Sequence, residues 1–307
     1  MWEVISAVIP VFCAVFAGAA LRRLGWLKRE ADDSLMRLGI NLLYPALILG
    51  SVTQSAVLER RDFLFIAPVV GFLLVAIGIL AARVTGVMLR LNREDNGSFA
   101  FAAGMFNYGF IAIPLAFALF GAEVVGALVV FNLGVEIAFW TIGVGTMAGR
   151  GKASWRNLLN PPVVAIIVGI LLNLAGGRHW LPGPFLRSCE FLGAASIPIA
   201  LIMTGSVLAD VATRQNLHAG WRVGIAAVVL RNGLLPLLFL FIAHSIPWSP
   251  ELRQVIIIQS AMPAAMAPVM LARYYGVNPI PAMQAIVFTT LAAIVTIPLW
   301  IAIGAQM

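Results

Sequence analysis

Residues 99–115 read FAFAAGMFNYGFIAIPL, an apolar run that is interrupted by polar residues at its centre and carries Pro114 near its end. Residues 256–270 read IIIQSAMPAAMAPVM, a second apolar run that is interrupted by Pro263 and Pro268. A proline inside a helix removes one backbone hydrogen bond and clashes with the carbonyl one turn earlier. In lipid, the freed backbone groups must be satisfied by protein or by a water-filled cavity. Paired interruptions in corresponding positions of two halves indicate the binding site of a secondary transporter.

The composition is that of a chain embedded in a membrane. Of its 307 residues, 61% are hydrophobic and 11% are charged, and the mean hydropathy is +0.98; about a quarter of a soluble domain is charged. Apolar stretches of about 20 residues, the length needed to cross a bilayer, recur from end to end. The ten predicted spans cover residues 3–21, 36–57, 63–89, 97–120, 123–148, 158–176, 186–208, 219–243, 251–274 and 280–304. The sequence therefore predicts an all-α polytopic membrane protein with ten transmembrane helices.

The positive charge of the chain is explained by its orientation in the bilayer. A net charge of +7 and a pI near 10.2 would also suit a nucleic-acid partner, but the cations lie mostly in loops. Loops after odd-numbered spans hold twelve Lys and Arg residues, and loops after even-numbered spans hold five. By the positive-inside rule, the odd loops face the cytoplasm and both termini face outward. We expect a multi-pass protein of the cell inner membrane, with the lipid bilayer and no nucleic acid as its partner.

Landmark glycines and prolines recur in the same order in the two halves, 151 to 155 residues apart. The matched positions are Pro10 and Pro161, Gly18 and Gly169, Pro45 and Pro198, Gly50 and Gly205, Pro114 and Pro268, and Gly121 and Gly276. Because each half has five predicted spans, an odd number, the second half enters the membrane from the opposite side, which makes an inverted repeat. The predicted units are a first repeat at 1–148, a cytoplasmic loop at 149–157 and a second repeat at 158–307. Broken spans four and nine would then meet at the midplane.

Four segments resemble one known family. NYGFIAIPL at residues 107–115 resembles the fourth-span signature of the auxin efflux carrier family, and MPAAMAP at residues 262–268 is similar to its second crossover. NLLYPAL at residues 41–47 resembles its second span, and NPP at residues 160–162 opens the sixth span as in the family. The resemblance covers essentially the whole chain. It implies a scaffold domain and a mobile transport domain that moves like an elevator, with the substrate held at the crossover helices.

The resemblance also implies a class of substrate. Plant members of that family export the auxin anion, and prokaryotic members are associated with malonate, malate and similar organic anions. The chain lacks the long loop between spans five and six that many plant carriers have, which bears on plant-style regulation and not on the transport core. The fold also resembles the sodium–bile acid symporters, although the crossover segments here carry no cluster of carboxylates that would indicate a sodium site.

Residues at the two interruptions are the candidates for substrate binding. An amide and a phenol, Asn107 and Tyr108, can bind a carboxylate without the full desolvation cost of a cation, and half-helix N-termini add partial positive charge. The alternative is that Asn107 only caps the broken backbone. The predicted substrate-binding set is Asn107, Tyr108, Pro114, Gln259, Pro263, Pro268 and Arg231, with Asn132 and Asn232 as weaker candidates.

Two ionisable residues would lie near mid-depth in the predicted spans, Glu136 in the fifth and Arg231 in the eighth. Burial of such groups in a membrane is expensive, so each is a functional hypothesis. Three interpretations stay open: a Glu136–Arg231 pair that fixes packing, Arg231 as a counter-charge for an anionic substrate, and Glu136 as a proton-responsive group. The histidines have no spacing typical of metal ligands, so neither a metal nor another cofactor is expected.

The sequence predicts a secondary transporter, not an enzyme, that moves a small organic anion such as a mono- or dicarboxylate by alternating access. It contains no nucleophile elbow, phosphate loop or intramembrane cluster of metal ligands. The alternatives are a carrier like the sodium–bile acid symporters and a gated anion channel. Proton coupling and a homodimer are left open, as are the identity of the substrate and the direction of transport.

Overall fold

The computed structural model describes residues 2–149, 159–212 and 220–306, and these are all-helical apart from one isolated backbone bridge. The helices, in chain order, are α1 (Trp2–Arg23), α2 (Glu30–Gln54), α3 (Arg61–Met88), α4 (Arg93–Gly104), α5 (Ala112–Phe120), α6 (Ala122–Ala148), α7 (Pro161–Leu174), α8 (Gly183–Val211), α9 (Trp221–Ser245), α10 (Pro250–Ala261), α11 (Ala267–Tyr274) and α12 (Ile280–Gln306). Short helical turns at Ala56–Glu59 and Gly177–Trp180 lie in connections. The predicted all-α class is confirmed.

Seven helices of the described ranges are long and apolar enough to cross a membrane, namely α1, α2, α3, α6, α8, α9 and α12. The number is lower than the ten predicted spans because α7 has only 14 residues and because the predicted fourth and ninth spans are each divided into two short helices. Residues 150–157 of the predicted connecting loop, which include Lys152, lie outside the described residues.

Only one of the three prolines in the divided spans lies in a gap; the other two lie in the first turn of the helix that follows the gap. The first gap runs from Met105 to Ile111, and Pro114 is the third residue of α5. A proline is tolerated there because the N–H groups of a first helical turn have no intrahelical partner. Pro268 likewise lies in the first turn of α11, whereas Pro263 lies in the second gap. Proline alone does not decide the outcome, since six others lie in the interior of continuous helices: Pro10, Pro45, Pro68, Pro198, Pro236 and Pro298.

Three long helices contain a wide π-helical turn. In α2 and α9 these turns, Gly39–Leu43 and Val229–Leu234, end two residues before Pro45 and Pro236, which lack the N–H that a regular helix would use. In α6 the wide turn is Phe139–Gly143. Such turns are frequent at functional sites. Residues of the site described below lie in or directly after them: Tyr44, Trp140 and Arg231.

The helices pack as two groups. In the first, α1 packs along α8, and α2 packs against both α7 and α8. In the second, α3 packs against α4 and α6, while α12 packs against α4, α9 and α10. The backbone of α4 and α10 is surrounded by protein, because Asn96–Gly104 and Val255–Ala261 are buried throughout. Residues 105–107 and 262–265 of the two gaps are buried as well, as irregular backbone in a membrane protein must be unless it lines a cavity.

The contact between α1 and α8 is a close approach of two backbones. A methyl group on Gly18 would overlap the carbonyl oxygen of Ile202, and a methyl group on Gly205 would overlap the carbonyl oxygen of Val15. Small residues at such contacts let membrane helices approach closely. At one end of the contact, Arg22 of α1 is paired with Asp32 of α2 and Asp210 of α8. The first group is therefore joined by both packing and charge.

Candidate functional site

The two gaps are joined to each other by paired backbone hydrogen bonds. The N–H of Asn107 donates to the carbonyl of Pro263 at 2.8 Å, and the N–H of Ala265 donates to the carbonyl of Met105 at 2.9 Å. These bonds form the antiparallel bridge between Phe106 and Ala264, both fully buried. Each gap thus satisfies backbone groups that the other gap leaves free, which is how both can persist away from water.

Two polar side chains hold the unwound backbone at Tyr108. The Asn132 side-chain amide of α6 donates to the Tyr108 carbonyl at 3.0 Å. The Gln259 amide of α10 donates to the same carbonyl at 3.4 Å and to the Asn132 side-chain oxygen at 3.3 Å. Gln259 and Asn132 are buried and are absent from the lining of the cavity described below. Their contacts therefore hold the backbone of the first gap from its protein side.

Glu136 of α6 is the buried carboxyl group of the site. Its Oε1 accepts the Tyr108 hydroxyl hydrogen at 2.7 Å. Its Oε2 accepts from the Trp140 indole N–H at 3.1 Å and from the Asn160 amide at 3.4 Å. Three donors suit a carboxylate, which only accepts hydrogen bonds when ionised.

Arg231 of α9 is fully buried and contacts a helix end instead of Glu136. Its Nη2 donates to the Ser260 carbonyl at 3.0 Å, with the Gln259 carbonyl at 3.5 Å, at the C-terminal end of α10. Its guanidinium carbon lies 5.6 Å from the Phe106 ring centre and 5.3 Å from that of Phe239. The last carbonyls of a helix carry partial negative charge and attract cations.

The Glu136–Arg231 pair that the sequence left open is absent from the ion pairs of the described residues. The two side chains use different partners, because Glu136 faces the first gap and Arg231 faces the last turn of α10. The structure therefore contradicts a direct ion pair between Glu136 and Arg231.

A cavity of about 300 Å³ lies between the two helix groups and reaches the first gap. Of the predicted substrate-binding residues, Asn107, Tyr108 and Pro114 line it, and so does Glu136. The remaining members of the predicted set, Gln259, Pro263, Pro268 and Arg231, are absent from its lining. Four further polar residues of the wall were not in that set: Tyr44, Asn160, Ser196 and Thr204.

The remaining walls of the cavity are apolar and adaptable. Methionines contribute from several helices, at Met36, Met203, Met266 and Met270, and aromatic rings contribute at Phe139 and Trp140. Unbranched thioether side chains fit irregular shapes. Glu136 is the only Asp, Glu, Lys or Arg side chain among the described residues of the lining.

The polar end of the cavity is formed by two half-helix N-termini. Gly109 and Phe110, just before α5, and Ala265 and Met266, just before α11, all line the cavity. The first N–H groups of a helix are unpartnered within it and carry partial positive charge. The Asn107 side-chain amide has no hydrogen-bond partner among the residues that the structure describes, although its backbone N–H is bonded. It therefore does not cap the gap through its side chain.

The sequence did not identify Asn160 and Trp140 as partners of Glu136, because each residue type at its position also has a common structural role. Asn160 caps α7, with its side-chain oxygen accepting from the N–H of Val163 at 3.0 Å, while its amide reaches Glu136. Trp140 follows Glu136 by four residues, a spacing that places both on one helix face. An aromatic residue at that spacing in a membrane helix usually indicates packing, so the pattern did not predict its hydrogen bond.

Enclosed broken helices, a mostly apolar cavity and several spanning helices are features of a membrane transporter. A family profile described as "Membrane transport protein" matches residues 3–154 and 151–301. The chain belongs to this family, and the predicted membership of the auxin efflux carrier family is confirmed.

The curated relatives are transporters too. An uncharacterized transporter of Methanothermobacter thermautotrophicus is 26% identical over 306 residues, which cover 96% of both chains. An uncharacterized transporter of Methanocaldococcus jannaschii is also 26% identical, over 96% of this chain and 97% of its own. Auxin efflux carrier component 8 of Arabidopsis thaliana is 29% identical over 159 residues, which are 51% of this chain and 42% of that protein. The protein is therefore a multi-span membrane transporter.

Proposed function

We propose that the protein carries a small organic anion with one carboxylate across the cell membrane by alternating access. The observation that carries the proposal is the cavity in which the free Asn107 amide and two half-helix N-termini converge. Such groups attract an anion without a buried cation at the contact. A second carboxylate would face methionine and aromatic side chains, where its burial without a partner is costly. A monocarboxylate with an apolar body fits this lining better than a dicarboxylate.

We further propose that the chain spans the membrane ten times as two inverted repeats, 1–148 and 158–307. In this arrangement α4 with α5 is the fourth span, α7 is a short sixth span, and α10 with α11 is the ninth. The hydrogen bonds between the two gaps support it, because each gap belongs to a different repeat. The twelve-to-five distribution of Lys and Arg supports a cytoplasmic 149–157 loop with both termini outside. Impermeant thiol labelling of a Lys152→Cys variant in cells should fail unless the membrane is opened; labelling of intact cells would contradict this topology.

The two helix groups support an elevator movement between a scaffold of α1, α2, α7 and α8 and a transport group of the other helices. The cavity lies between them and includes Met36, near the start of α2, and Val207, near the end of α8. Beyond the opposite end of α2, Glu123 of α6 accepts hydrogen bonds from the Ser55 hydroxyl at 2.9 Å and the Ala56 N–H at 3.1 Å. We infer that this contact closes one side of the site and breaks when the transport group moves.

The position of Arg231 counts against sodium coupling. In carriers with broken helices, coupling cations bind unwound carbonyls and the C-terminal ends of half-helices. Here the Arg231 guanidinium already contacts the carbonyls at the end of α10. Counterflow of labelled phenylacetate and malonate in proteoliposomes, with and without sodium, tests the proposal directly. Saturable, sodium-independent counterflow of phenylacetate is expected; flux without trans-acceleration would indicate a channel instead.

Replacing Asn107 with alanine should weaken substrate binding and leave folding intact. A hydrogen bond to a charged group contributes about 1.5–3 kcal/mol, so the apparent affinity should fall roughly tenfold to a hundredfold. Counterflow kinetics and thermal unfolding in detergent would measure both effects. The matched control is Asn132→Ala, which removes a buried amide that holds the Tyr108 carbonyl and should mainly lower stability. Unchanged affinity in a folded Asn107→Ala variant would reject the contact.

A further inference from the structure

We propose that a proton is the coupling ion of this carrier and that the Tyr108 hydroxyl links proton binding on Glu136 to anion binding. The inference rests on the proposed function, because it requires the anion to enter the cavity beside Tyr108. Its basis is geometric. The single hydroxyl hydrogen of Tyr108 points to Oε1 of Glu136 over 2.7 Å, while the same residue lines the cavity.

An ionised Glu136 opposes an incoming carboxylate. The titratable side chains that line the cavity with it are Tyr108 from the first gap and Tyr44 from α2. From α6 and α7 it is faced by the neutral donors Trp140 and Asn160. No Lys or Arg of the described residues lines the cavity to offset its charge. Two like charges in one weakly polar cavity repel each other, and a proton on Glu136 removes that repulsion.

The proton also changes what Tyr108 can do. A tyrosine hydroxyl has one hydrogen to donate and can also accept. With Glu136 ionised, that hydrogen is committed to Oε1. Trp140 and Asn160 occupy Oε2, which leaves Oε1 as the oxygen that takes the proton. Protonated Glu136 then donates to the Tyr108 oxygen, and the Tyr108 hydrogen turns toward the substrate carboxylate.

The step balances without any other reactant. One proton from water bonds to Oε1 of Glu136, and one anion enters the cavity and accepts the Tyr108 hydroxyl hydrogen. After the transport group has moved, the anion leaves, Tyr108 turns back to Glu136 and the proton returns to water on the other side. One proton and one monocarboxylate move together, so the cycle carries no net charge.

Equilibrium binding of labelled phenylacetate to the purified protein tests the coupling between about pH 5.5 and 8, where a free carboxylic acid stays mostly ionised. For the natural sequence, affinity should fall by up to about tenfold per pH unit, the limit for uptake of one proton. Calorimetry in two buffers with different ionisation enthalpies should then show proton uptake approaching one per anion at the upper pH.

Two variants should change the pH dependence in different ways: Glu136→Gln should abolish it, and Tyr108→Phe should reduce it. Glu136→Gln is neutral and can donate to the Tyr108 oxygen, so it should bind phenylacetate at all pH values as the natural protein does in acid, without proton uptake. Tyr108→Phe should lose roughly tenfold or more of the affinity in acid, where it lacks the contact with the anion. At high pH the loss should be small, because the natural protein must first break the bond between Tyr108 and ionised Glu136, and the variant has no such bond to break. Tyr274→Phe, the control, removes a tyrosine hydroxyl that is exposed and absent from the cavity lining, and it should keep both the slope and the proton uptake.

Three results would overturn the inference. They are phenylacetate binding without proton uptake by the natural protein, a pH slope that persists in Glu136→Gln, and an equal loss of affinity at every pH in Tyr108→Phe. The last would show a contact that is independent of Glu136. Should Glu136→Gln fail to fold, Tyr108→Phe still decides. A natural protein that binds and exchanges no carboxylate would instead contradict the proposed function.

Discussion

Replacing Arg231 with glutamine is expected to reduce anion transport by more than tenfold while the protein remains folded. The guanidinium is fully buried, and its Nε and Nη1 have no hydrogen-bond partner within residues 2–149, 159–212 and 220–306. Desolvation of a buried ion costs several kcal/mol, so removal of one that lacks a carboxylate partner is often neutral for stability. The contribution of Arg231 to stability therefore does not by itself explain why an arginine occupies this buried position.

The effect on transport follows from the field of the buried charge. The guanidinium carbon lies 5.6 Å from the ring of Phe106, the residue before Asn107. A unit charge at about 10 Å with an effective dielectric constant of about 20 contributes roughly 1.7 kcal/mol, or about seventeenfold in affinity. Arg231 would thus assist the anion from behind the bridged gaps without lining the cavity.

Counterflow kinetics and thermal unfolding of Arg231→Gln would separate the two effects, and Arg231→Lys, which keeps the charge, is the matched control. The lysine variant should recover most of the transport. A double Glu136→Gln, Arg231→Gln variant should show no mutual rescue, because the two residues have separate partners. A fully active, folded Arg231→Gln variant would exclude the electrostatic role.

Replacing Gly205 with alanine should cause the largest loss of folded protein. The added methyl group would overlap the carbonyl oxygen of Val15, so the backbones of α1 and α8 must separate. Overpacking of a close contact destabilises by about 1–3 kcal/mol, and more where backbone cannot yield. Thermal unfolding and size-exclusion profiles in detergent would measure the loss.

Gly50, which the spacing of glycines and prolines in the sequence matches to Gly205, provides the control for this variant. A methyl group on Gly50 would lie 3.6 Å from the Cys189 side chain, which is an ordinary contact. Gly50→Ala should therefore unfold close to the natural protein. Equal destabilisation by the two substitutions, or a stable Gly205→Ala, would show that the close approach of α1 and α8 is not needed.

The sequence was most informative about hydrophobic spans and least about what their polar residues contact. Apolar length predicted the long helices, and the prolines indicated both interruptions. The sequence did not predict that α4 ends at Gly104, ten residues before Pro114. Pro114 does not mark the break, because it fits the first turn of α5. Local propensity cannot show that the exposed backbone of one gap is satisfied by Pro263 in the other.

The candidate site was likewise predicted only in part, because the sequence shows which residues are polar but not what they contact. Asn107 and Tyr108 stood out because polar side chains are rare in an apolar run, and the cavity does reach them. Opposite charge suggested that Glu136 and Arg231 would meet, but a helix end can hold a cation as a carboxylate does. The partners of Glu136 are separated from it by up to 28 positions, and only the folded chain brings them together.

The backbone bridge between Phe106 and Ala264 also constrains how the carrier can move. Sliding one gap past the other would break two buried hydrogen bonds, at a cost of roughly 1–3 kcal/mol for each group left unpaired. A movement in which one gap shifts before the other would have to populate an intermediate with these groups unpaired. Displacement of both gaps together avoids that cost, so in the proposed elevator movement we expect the two gaps to move as one rigid unit.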